Sequence, residues 1–185
     1  LLNEPEDILN GTGAPYQVFT AFYNRCRQNP VPLPKALADV HFISLSEYER
    51  PALLDAIQQT HDHPLKGGRS AAMALLDDLS RCREYEAQRD FPALAATTEL
   101  SAYLKFGCCS VREAYYAVLE RLGSEHGLLR QFYWRDFFHH IAFHVPKVFG
   151  HAFHEKYDHI AWRNDVQEFQ RWTEGRTGFP HVDSG

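Results

Sequence analysis

The strongest constraint on the fold is a series of apolar residues at helical spacing that starts near residue 69. Ala72, Leu75, Leu76 and Leu79 recur every one to four positions and lie on one face of an α-helix. Similar spacing returns in several later segments. Because each amphipathic helix must bury its apolar face against another element, we predict a mainly α fold, a helical bundle.

Capping residues, prolines and glycines divide this series into separate helices. Ser110 and Glu113 have the spacing of a capping box, and Gly123 ends the helix that they start. Asp165 is placed to cap another helix, and Pro146 follows the end of the longest one. The other predicted helices cover residues 98–106, 127–144 and 166–173.

The N-terminal part of the chain lacks this helical period. Residues 16–20 are aromatic and β-branched, which favours a strand, and the prolines within residues 30–34 favour an extended connection. We therefore predict two regions. Residues 1–66 form a short strand-bearing N-terminal remnant with a linker, and residues 67–185 form the helical domain.

Three hydroxyl side chains cluster at the predicted start of one helix. Thr97 and Thr98 follow a loop that contains Pro92, and Ser101 lies one turn further along the same side. Free backbone N–H groups at a helix start attract anions, so the cluster suits a phosphate group. Simple capping of the helix by these hydroxyls is the alternative interpretation.

A second candidate surface lies on the long predicted helix. Gln131, Trp134, Arg135 and Phe138 are three, four and seven residues apart, so we expect them to share one face. An amide, an indole, a guanidinium and a phenyl ring are costly to bury without a polar or planar partner. A flat, charged ligand would satisfy them. Core packing with an outward-reaching guanidinium is the alternative.

The overall charge is not typical of a nucleic-acid-binding protein. The formal net charge is −5 and the pI is about 6.1, whereas such domains usually carry a basic surplus. Contact with DNA would therefore depend on a local patch, for which Arg83, Arg89, Arg130 and Arg135 are the candidates. A solvated helix face is the other explanation for these arginines.

The cysteine pattern predicts an intracellular, reducing location. The four cysteines contain no CxxC pair and suggest neither a disulfide framework nor a zinc site. No apolar run is long enough to span a bilayer, and no signal peptide is evident. His140 and His144 share a helix face but lack an H-E-x-x-H arrangement, so we predict no metal site.

Taken in order, the motifs resemble the FAD-binding domain of the DNA photolyase and cryptochrome family. The ordered motifs are Tyr85, Arg89-Asp-Phe-Pro92, Thr97-Thr98-Glu-Leu-Ser101, Ser110-Val-Arg-Glu113, Trp134-Arg135-Asp-Phe-Phe138, Trp162 and Gly175-Arg-Thr-Gly-Phe-Pro180. The resemblance implies that residues 67–185 are the N-terminal part of that domain. Residues 1–66 would be a remnant of the family's α/β antenna domain and the interdomain linker, in a chain truncated at both ends.

The resemblance also implies FAD as cofactor and assigns site residues. Those expected to contact FAD are Tyr85, Thr97, Thr98, Glu99, Leu100, Ser101 and Arg135. Those expected to contact DNA or its lesion are Arg89, Gln131 and Trp134. Trp162 matches the outermost tryptophan of the family's electron-transfer chain, although a packing role is its alternative.

The function implied is that of a blue-light-driven DNA photolyase, a carbon-carbon lyase that repairs UV-induced pyrimidine dimers by electron transfer from reduced FAD. Gln131 keeps a second hypothesis open, because photolyases of cyclobutane dimers usually carry glutamate there, whereas (6-4) photolyases and animal cryptochromes carry glutamine. That second hypothesis is a cryptochrome-like photoreceptor without repair activity. A third is a folding or interaction unit that binds no flavin. The expected partners are UV-damaged DNA and the C-terminal half of the FAD domain, with the chain itself a monomer.

Overall fold

A computed structural model describes residues 1–35 and 65–184 and divides the chain into two compact units, Leu1–His144 and Val145–Gly185. The prediction of a mainly α fold is confirmed. Within the described residues the only β pairing is an isolated antiparallel bridge between Leu9 and Pro15. The predicted domain boundary at residue 66 follows a segment outside the described residues, so it stays a prediction.

Helices account for most of the regular structure in both units. The first unit contains α1 (Phe19–Cys26), α2 (Arg69–Asp77), α3 (Tyr85–Gln88), α4 (Ser101–Lys105), α5 (Val111–Leu122) and α6 (Gly127–His144). It also contains 3-10 turns at Pro5–Asp7 and Ser80–Cys82. The second unit contains α7 (Val166–Thr173), α8 (Pro180–Asp183) and 3-10 turns at Pro146–Phe149 and Glu155–Tyr157.

Helix α6 is the centre of the first unit. It packs against α1, α3, α5 and the Pro5–Asp7 turn. Its buried apolar residues lie on several sides of the helix, as expected for an element that is enclosed by others. These residues are Leu128, Leu129, Phe132, Tyr133 and Phe137. The predicted span of 127–144 is confirmed, and His144 is followed directly by Val145 and Pro146.

The capping box predicted for α5 is confirmed. The Ser110 hydroxyl accepts from the Glu113 amide at 3.1 Å, and the Glu113 carboxylate accepts from the Ser110 amide at 2.8 Å. Arg69 at the start of α2 donates to the same carboxylate at 2.6 Å. The capping box therefore also ties α5 to α2. Gly123 ends the helix with a φ of 94°, a value that favours glycine.

The strand predicted over residues 16–20 is wrong. The chain instead enters α1 at Phe19, and Phe19, Phe22 and Cys26 are all buried in the core. Their spacing of three and four residues is helical. Burial of residues at this spacing outweighed the local β propensity of Val18 and Thr20. Burial against α6 supplies the tertiary contacts that make this short helix stable.

The helix expected over residues 98–106 is shorter than predicted. It begins at Ser101, so Thr97 and Thr98 lie in the preceding turn instead of at the helix cap. Glu99 in that turn has a φ of 55°, which places its backbone in the left-handed region. The reversal at Glu99 prevents helical backbone from starting at Thr98.

In the second unit no described residue is buried. Helix α7 has its predicted span, and Asp165 caps it by accepting from the amides of Gln167 and Glu168. Phe169 and Trp172 on this helix are 62% and 58% exposed. The helix forms as predicted, but its apolar side chains are not buried within the described residues of this unit.

The cysteines of the first unit occupy different surroundings. Cys26, Cys82 and Cys109 are buried, Cys108 is half-buried, and none forms a disulfide. Burial raises the pKa of the Cys26 thiol to about 12 and raises the pKa values of Cys82 and Cys109 as well. Among the described residues, no helix is long and apolar enough to cross a membrane.

Candidate functional site

A cavity of about 590 Å³ in the first unit brings most of the predicted site residues together. It lies between α3, the turn that precedes α4, α4 itself and one face of α6. The predicted residues that line it are Tyr85, Thr97, Thr98, Leu100, Ser101, Gln131 and Arg135. They come from segments up to 50 positions apart in the sequence, so the fold assembles them.

The turn that carries the hydroxyls is held in place by Arg81 and by the buried Leu100 side chain. The Arg81 guanidinium donates to the carbonyl of Thr98 at 3.0 Å and lies 3.4 Å from the Glu99 carboxylate. The Leu100 amide donates to the Thr98 hydroxyl at 3.3 Å, and the Leu100 side chain is fully buried. These contacts hold the turn while Thr97 and Ser101 remain exposed at the cavity.

Helix α6 forms the opposite wall. Gln131, Arg135 and His139 follow one another at intervals of four residues and line the cavity along one helix face. Leu128 and Phe132 supply its apolar part. This wall of the cavity therefore combines an amide, a guanidinium and an imidazole with the apolar side chains of Leu128 and Phe132.

Arg135 has a buried Nη1 atom without a hydrogen-bond partner among the described residues. The nearest opposite charge is the carboxylate of Asp136, with 3.7 Å between Arg135 Nη1 and Asp136 Oδ1. A buried donor without a partner is costly, and an acceptor in the cavity would relieve that cost.

Two predicted residues lie near the cavity without lining it. Glu99 pairs with Arg81, as described above, and supports the turn. Arg89 lies with its guanidinium 5.7 Å from the centroid of the Tyr85 ring and 3.7 Å from the Asp90 carboxylate. The pairing with Asp90 is the surface ion pair considered as the alternative for Arg89.

Trp134 does not share the cavity face with Gln131 and Arg135. Its ring stacks on Phe19 of α1, with centroids 3.5 Å apart and planes 7° from parallel. The Phe138 ring is also near Trp134, with centroids 5.9 Å apart, and is 63% exposed. The expectation that all four residues share one face is therefore wrong: Trp134 lies three residues from Gln131, about 60° around the helix, and packs against Phe19 of α1, whereas Gln131 and Arg135 line the cavity.

Trp162 belongs to the second unit, where its side chain is 72% exposed. It lines a shallow depression with Val148, Phe149, Tyr157 and Asp158. The electron-transfer role assigned to Trp162 and its alternative packing role both stay predictions.

Five residues of the cavity lining were not among the predicted site residues: Leu104, Lys105, Leu128, Phe132 and His139. A helical signal was available for all of them. Leu104 and Lys105 lie one turn beyond Ser101, and the three α6 residues fall three or four positions from Gln131 or Arg135. Extending each predicted face by one turn would have found them. Within the described residues, no group of three histidine, cysteine or acidic side chains could hold a metal.

Comparison with known proteins shows which proteins this chain is similar to. The sequence profile of the FAD binding domain of DNA photolyase matches residues 128–185. Deoxyribodipyrimidine photo-lyase of Synechococcus sp. is 30% identical over all of this chain and 43% of its own length. The (6-4) DNA photolyase of Oryza sativa subsp. japonica is 27% identical over 99% of this chain and 37% of its own length.

A solved structure shows the same fold. The archaeal photolyase of Sulfolobus tokodaii, crystallised with two FAD molecules, matches all of this chain and 40% of its own with a TM-score of 0.79 and 34% identity. The fold is thus that of a photolyase-type FAD-binding domain. Over its whole length the chain is similar to DNA photolyases in sequence and fold, and it spans less than half the length of the relatives described here.

Proposed function

We propose that this cavity binds FAD and that the protein acts as part of a blue-light-driven DNA photolyase, a lyase that splits UV-induced pyrimidine dimers. The observation that carries the proposal is the meeting of two separate sequence motifs in one cavity. The hydroxyl-bearing turn of residues 97–101 faces Gln131 and Arg135 on α6. The photolyase relatives described above support the same assignment.

The lining suits a ligand with a pyrophosphate and planar rings. A volume of about 590 Å³ lies within the usual range for small-molecule sites. The hydroxyls of Thr97, Thr98 and Ser101 can donate to phosphate oxygens, and the Arg135 guanidinium can neutralise their charge. Helix α4 has only five residues, so its dipole contributes little and the side chains must supply most of the attraction.

FAD, when bound, would supply absorption of blue light and transfer of a single electron. The protein's own contribution is placement. The anchored turn and Arg135 would hold the anionic part of the cofactor, and the apolar side chains of Leu100, Leu128 and Phe132 would exclude water. Because every one of these groups is on a helix or an anchored turn, the site is largely preorganised.

Titration with FAD tests the cavity directly. Ser101→Ala and Arg135→Gln should each weaken FAD binding, by about fivefold to tenfold, since each removes a hydrogen bond to the phosphates. Flavin absorbance and fluorescence of the protein-bound fraction would report the affinity. Thr20→Val, an exposed hydroxyl on α1, is the matched control and should leave affinity unchanged. Unchanged binding in both cavity variants would contradict the assignment.

We further propose that the second unit packs against additional polypeptide of the family's FAD-binding domain. Its side chains of Phe149, Trp162, Val166, Phe169 and Phe179 are 62% to 82% exposed, which is unusual for residues of this size. The relatives are more than twice as long as the region that they share with this chain. We therefore expect this chain alone to bind FAD weakly and to bind it more tightly when the C-terminal part of a relative's domain is supplied.

Gln131 favours a second candidate function, a cryptochrome-like flavin photoreceptor without repair activity. Its amide lines the cavity at the position where the family's repair enzymes for cyclobutane dimers usually carry a carboxylate. An amide cannot donate a carboxylic acid proton, so the substitution alters the chemistry available to a lesion. Light-dependent loss of dimers from irradiated oligonucleotides, with the C-terminal part supplied, separates the two functions. Absence of repair at saturating protein would exclude the photolyase.

We propose that Arg89, Gln131 and Trp134 contact DNA. Access of a base to the Trp134 ring would depend on the position of Phe19. The Phe19 ring covers one face of the Trp134 ring at a centroid distance of 3.5 Å, so a base can stack on that face only if Phe19 moves. Phe19→Leu should therefore raise affinity for dimer-containing single strands while Trp134→Leu lowers it, as measured by fluorescence anisotropy. Equal binding by both variants and the unmodified protein would exclude this role of Trp134.

A further inference from the structure

Asp136 is a deeply buried carboxylate at the junction of the cavity wall and the N-terminal segment. Its side chain is 3% exposed. Its Oδ2 accepts hydrogen bonds from the backbone amides of Leu2 at 2.6 Å and Asn3 at 3.2 Å. These donors are more than 130 positions away in the sequence, so the carboxylate joins the first residues of the chain to α6.

The other oxygen of this carboxylate faces Arg135. Asp136 Oδ1 and Arg135 Nη1 are both buried, neither has a hydrogen-bond partner among the described residues, and they lie 3.7 Å apart. A shift of under 1 Å would convert this contact into a charge-assisted hydrogen bond. Arg135 lines the candidate FAD cavity and also a second cavity of about 570 Å³ that the N-terminal residues Leu1 and Glu4 border.

We propose that Asp136 is a positioning residue that fixes the Arg135 guanidinium in the cavity wall and is itself held by the amides of Leu2 and Asn3. The proposal rests on the assignment of the cavity to FAD. It makes the N-terminal segment part of the support of the cofactor site, although none of its residues lines the FAD cavity.

The partners of the Asp136 carboxylate, the two backbone amides and the Arg135 guanidinium, offset the cost of burying it. Desolvation raises the pKa of Asp136, whereas the two amide hydrogen bonds and the positive charge of Arg135 oppose that rise. A buried charge of this kind is costly unless each oxygen is paired. Oδ2 is paired with backbone, and the guanidinium is the charged group next to Oδ1.

A double-mutant cycle on the full chain tests the proposal. Asp136→Asn keeps the shape of the side chain but removes its charge, and Arg135→Gln removes the guanidinium. If Asp136 acts through Arg135, Asp136→Asn should weaken FAD binding about tenfold in the unmodified protein, the change expected for loss of a charge-assisted contact. In the Arg135→Gln background it should change affinity less than about twofold, because its target is absent.

Additive losses in the cycle would overturn the proposal, because they would show that Asp136 supports the fold in general and not Arg135. Arg112→Gln is the matched control. Arg112 also holds the N-terminal segment, through Leu1 O at 2.7 Å and the Glu4 carboxylate at 3.0 Å, without contacting Asp136. It should leave the coupling between Asp136 and Arg135 unchanged. Loss of that coupling in the Arg112→Gln protein would likewise contradict direct positioning.

The same cycle measured by urea unfolding separates this inference from the assignment of the cavity. If the unmodified chain binds no FAD, the proposed function fails, yet unfolding still reports whether Asp136 and Arg135 are coupled. Non-additive unfolding midpoints would support the contact between the two residues. Additive midpoints would exclude it whether or not FAD binds.

Discussion

At the scale of single residues, α6 carries an unusual buried histidine. His140 is 1% exposed, and neither ring nitrogen has a hydrogen-bond partner among the described residues. It packs between Phe22 of α1 and His144, whose ring is 4.5 Å away. Burial, with a smaller effect from His144, lowers the pKa of His140 to about 4.

This lowered pKa predicts a loss of stability in mild acid. The unfolded chain binds a proton at His140 near its ordinary pKa of 6.5, whereas the folded chain resists protonation until about pH 4. The free energy of unfolding should thus be highest above the unfolded pKa and should fall by about 2 kcal/mol between about pH 7 and about pH 5. His140→Leu should remove that part of the pH dependence, as measured by urea unfolding.

The neighbouring His139 provides a control for this prediction. It is exposed on the same helix, so His139→Leu should retain the pH dependence of the unmodified protein. Asp136, whose pKa is raised, should increase the free energy of unfolding on acidification. Because Asp136 is present in both variants, it contributes equally to their pH dependence. The same pH dependence in His140→Leu as in the unmodified protein would rule out His140 as its source.

At the scale of secondary structure, sequence reasoning succeeded where local signals agreed with the tertiary fold. Helices α6 and α7 have their predicted spans, and the capping box of α5 forms as expected. In these segments the helical period, the caps and the breakers all indicate the same boundaries.

The failures occurred where a long-range contact decided the outcome. Residues 16–20 have β propensity, but burial of Phe19 and Phe22 against α6 selects a helix. The left-handed backbone at Glu99 delays α4 by three residues. For the site, the types of residue and the two motifs were predictable. The displacement of Trp134 onto Phe19 was not, because it depends on a helix that local propensity did not indicate.

The capping box of α5 leads to a prediction for the element as a whole. Ser110→Ala should destabilise the protein by about 1 kcal/mol, the usual cost of a lost N-cap. Ser124→Ala, an exposed serine beyond the same helix, should change the unfolding midpoint little. Thermal and urea unfolding would measure both. A cost for Ser124→Ala as large as that for Ser110→Ala would show that the effect is not due to capping.

Glu113 adds a pH dependence to this element. The Arg69 guanidinium, together with the hydrogen bonds from Ser110, lowers the pKa of Glu113 to about 2. Its contribution to stability is therefore present above about pH 4.5 and is lost as the pH falls towards 2. Because Arg69 is half exposed, solvent screening should limit the contribution to about 1 kcal/mol.

At the scale of the molecule, the two units differ in their degree of burial. All buried residues within the described part of the chain belong to Leu1–His144, and none belongs to Val145–Gly185. Segments with few buried contacts open readily and exchange their amide hydrogens quickly. We therefore predict that the second unit is less protected in the isolated chain than the first and is ordered further by a partner.

Hydrogen exchange tests this prediction. Amides of α7 in the isolated chain should exchange much faster than those of α6, and they should become protected when the C-terminal part of a relative's FAD-binding domain is added. Phe169→Ser and Trp172→Ser should reduce that protection, whereas Gln167→Ser, on the same helix, should retain it. Strong protection of α7 in the isolated chain would contradict the prediction.

The distribution of the cysteines offers a practical advantage for such experiments. Three of the four thiols are buried with raised pKa values, so alkylating reagents should react first with half-buried Cys108. Cys108 lies between α4, which lines the candidate cavity, and α5. A fluorescent or spin label could therefore be attached three residues from Lys105 of the cavity lining without first removing the other cysteines, and a change in its signal on adding FAD would report binding in the native chain.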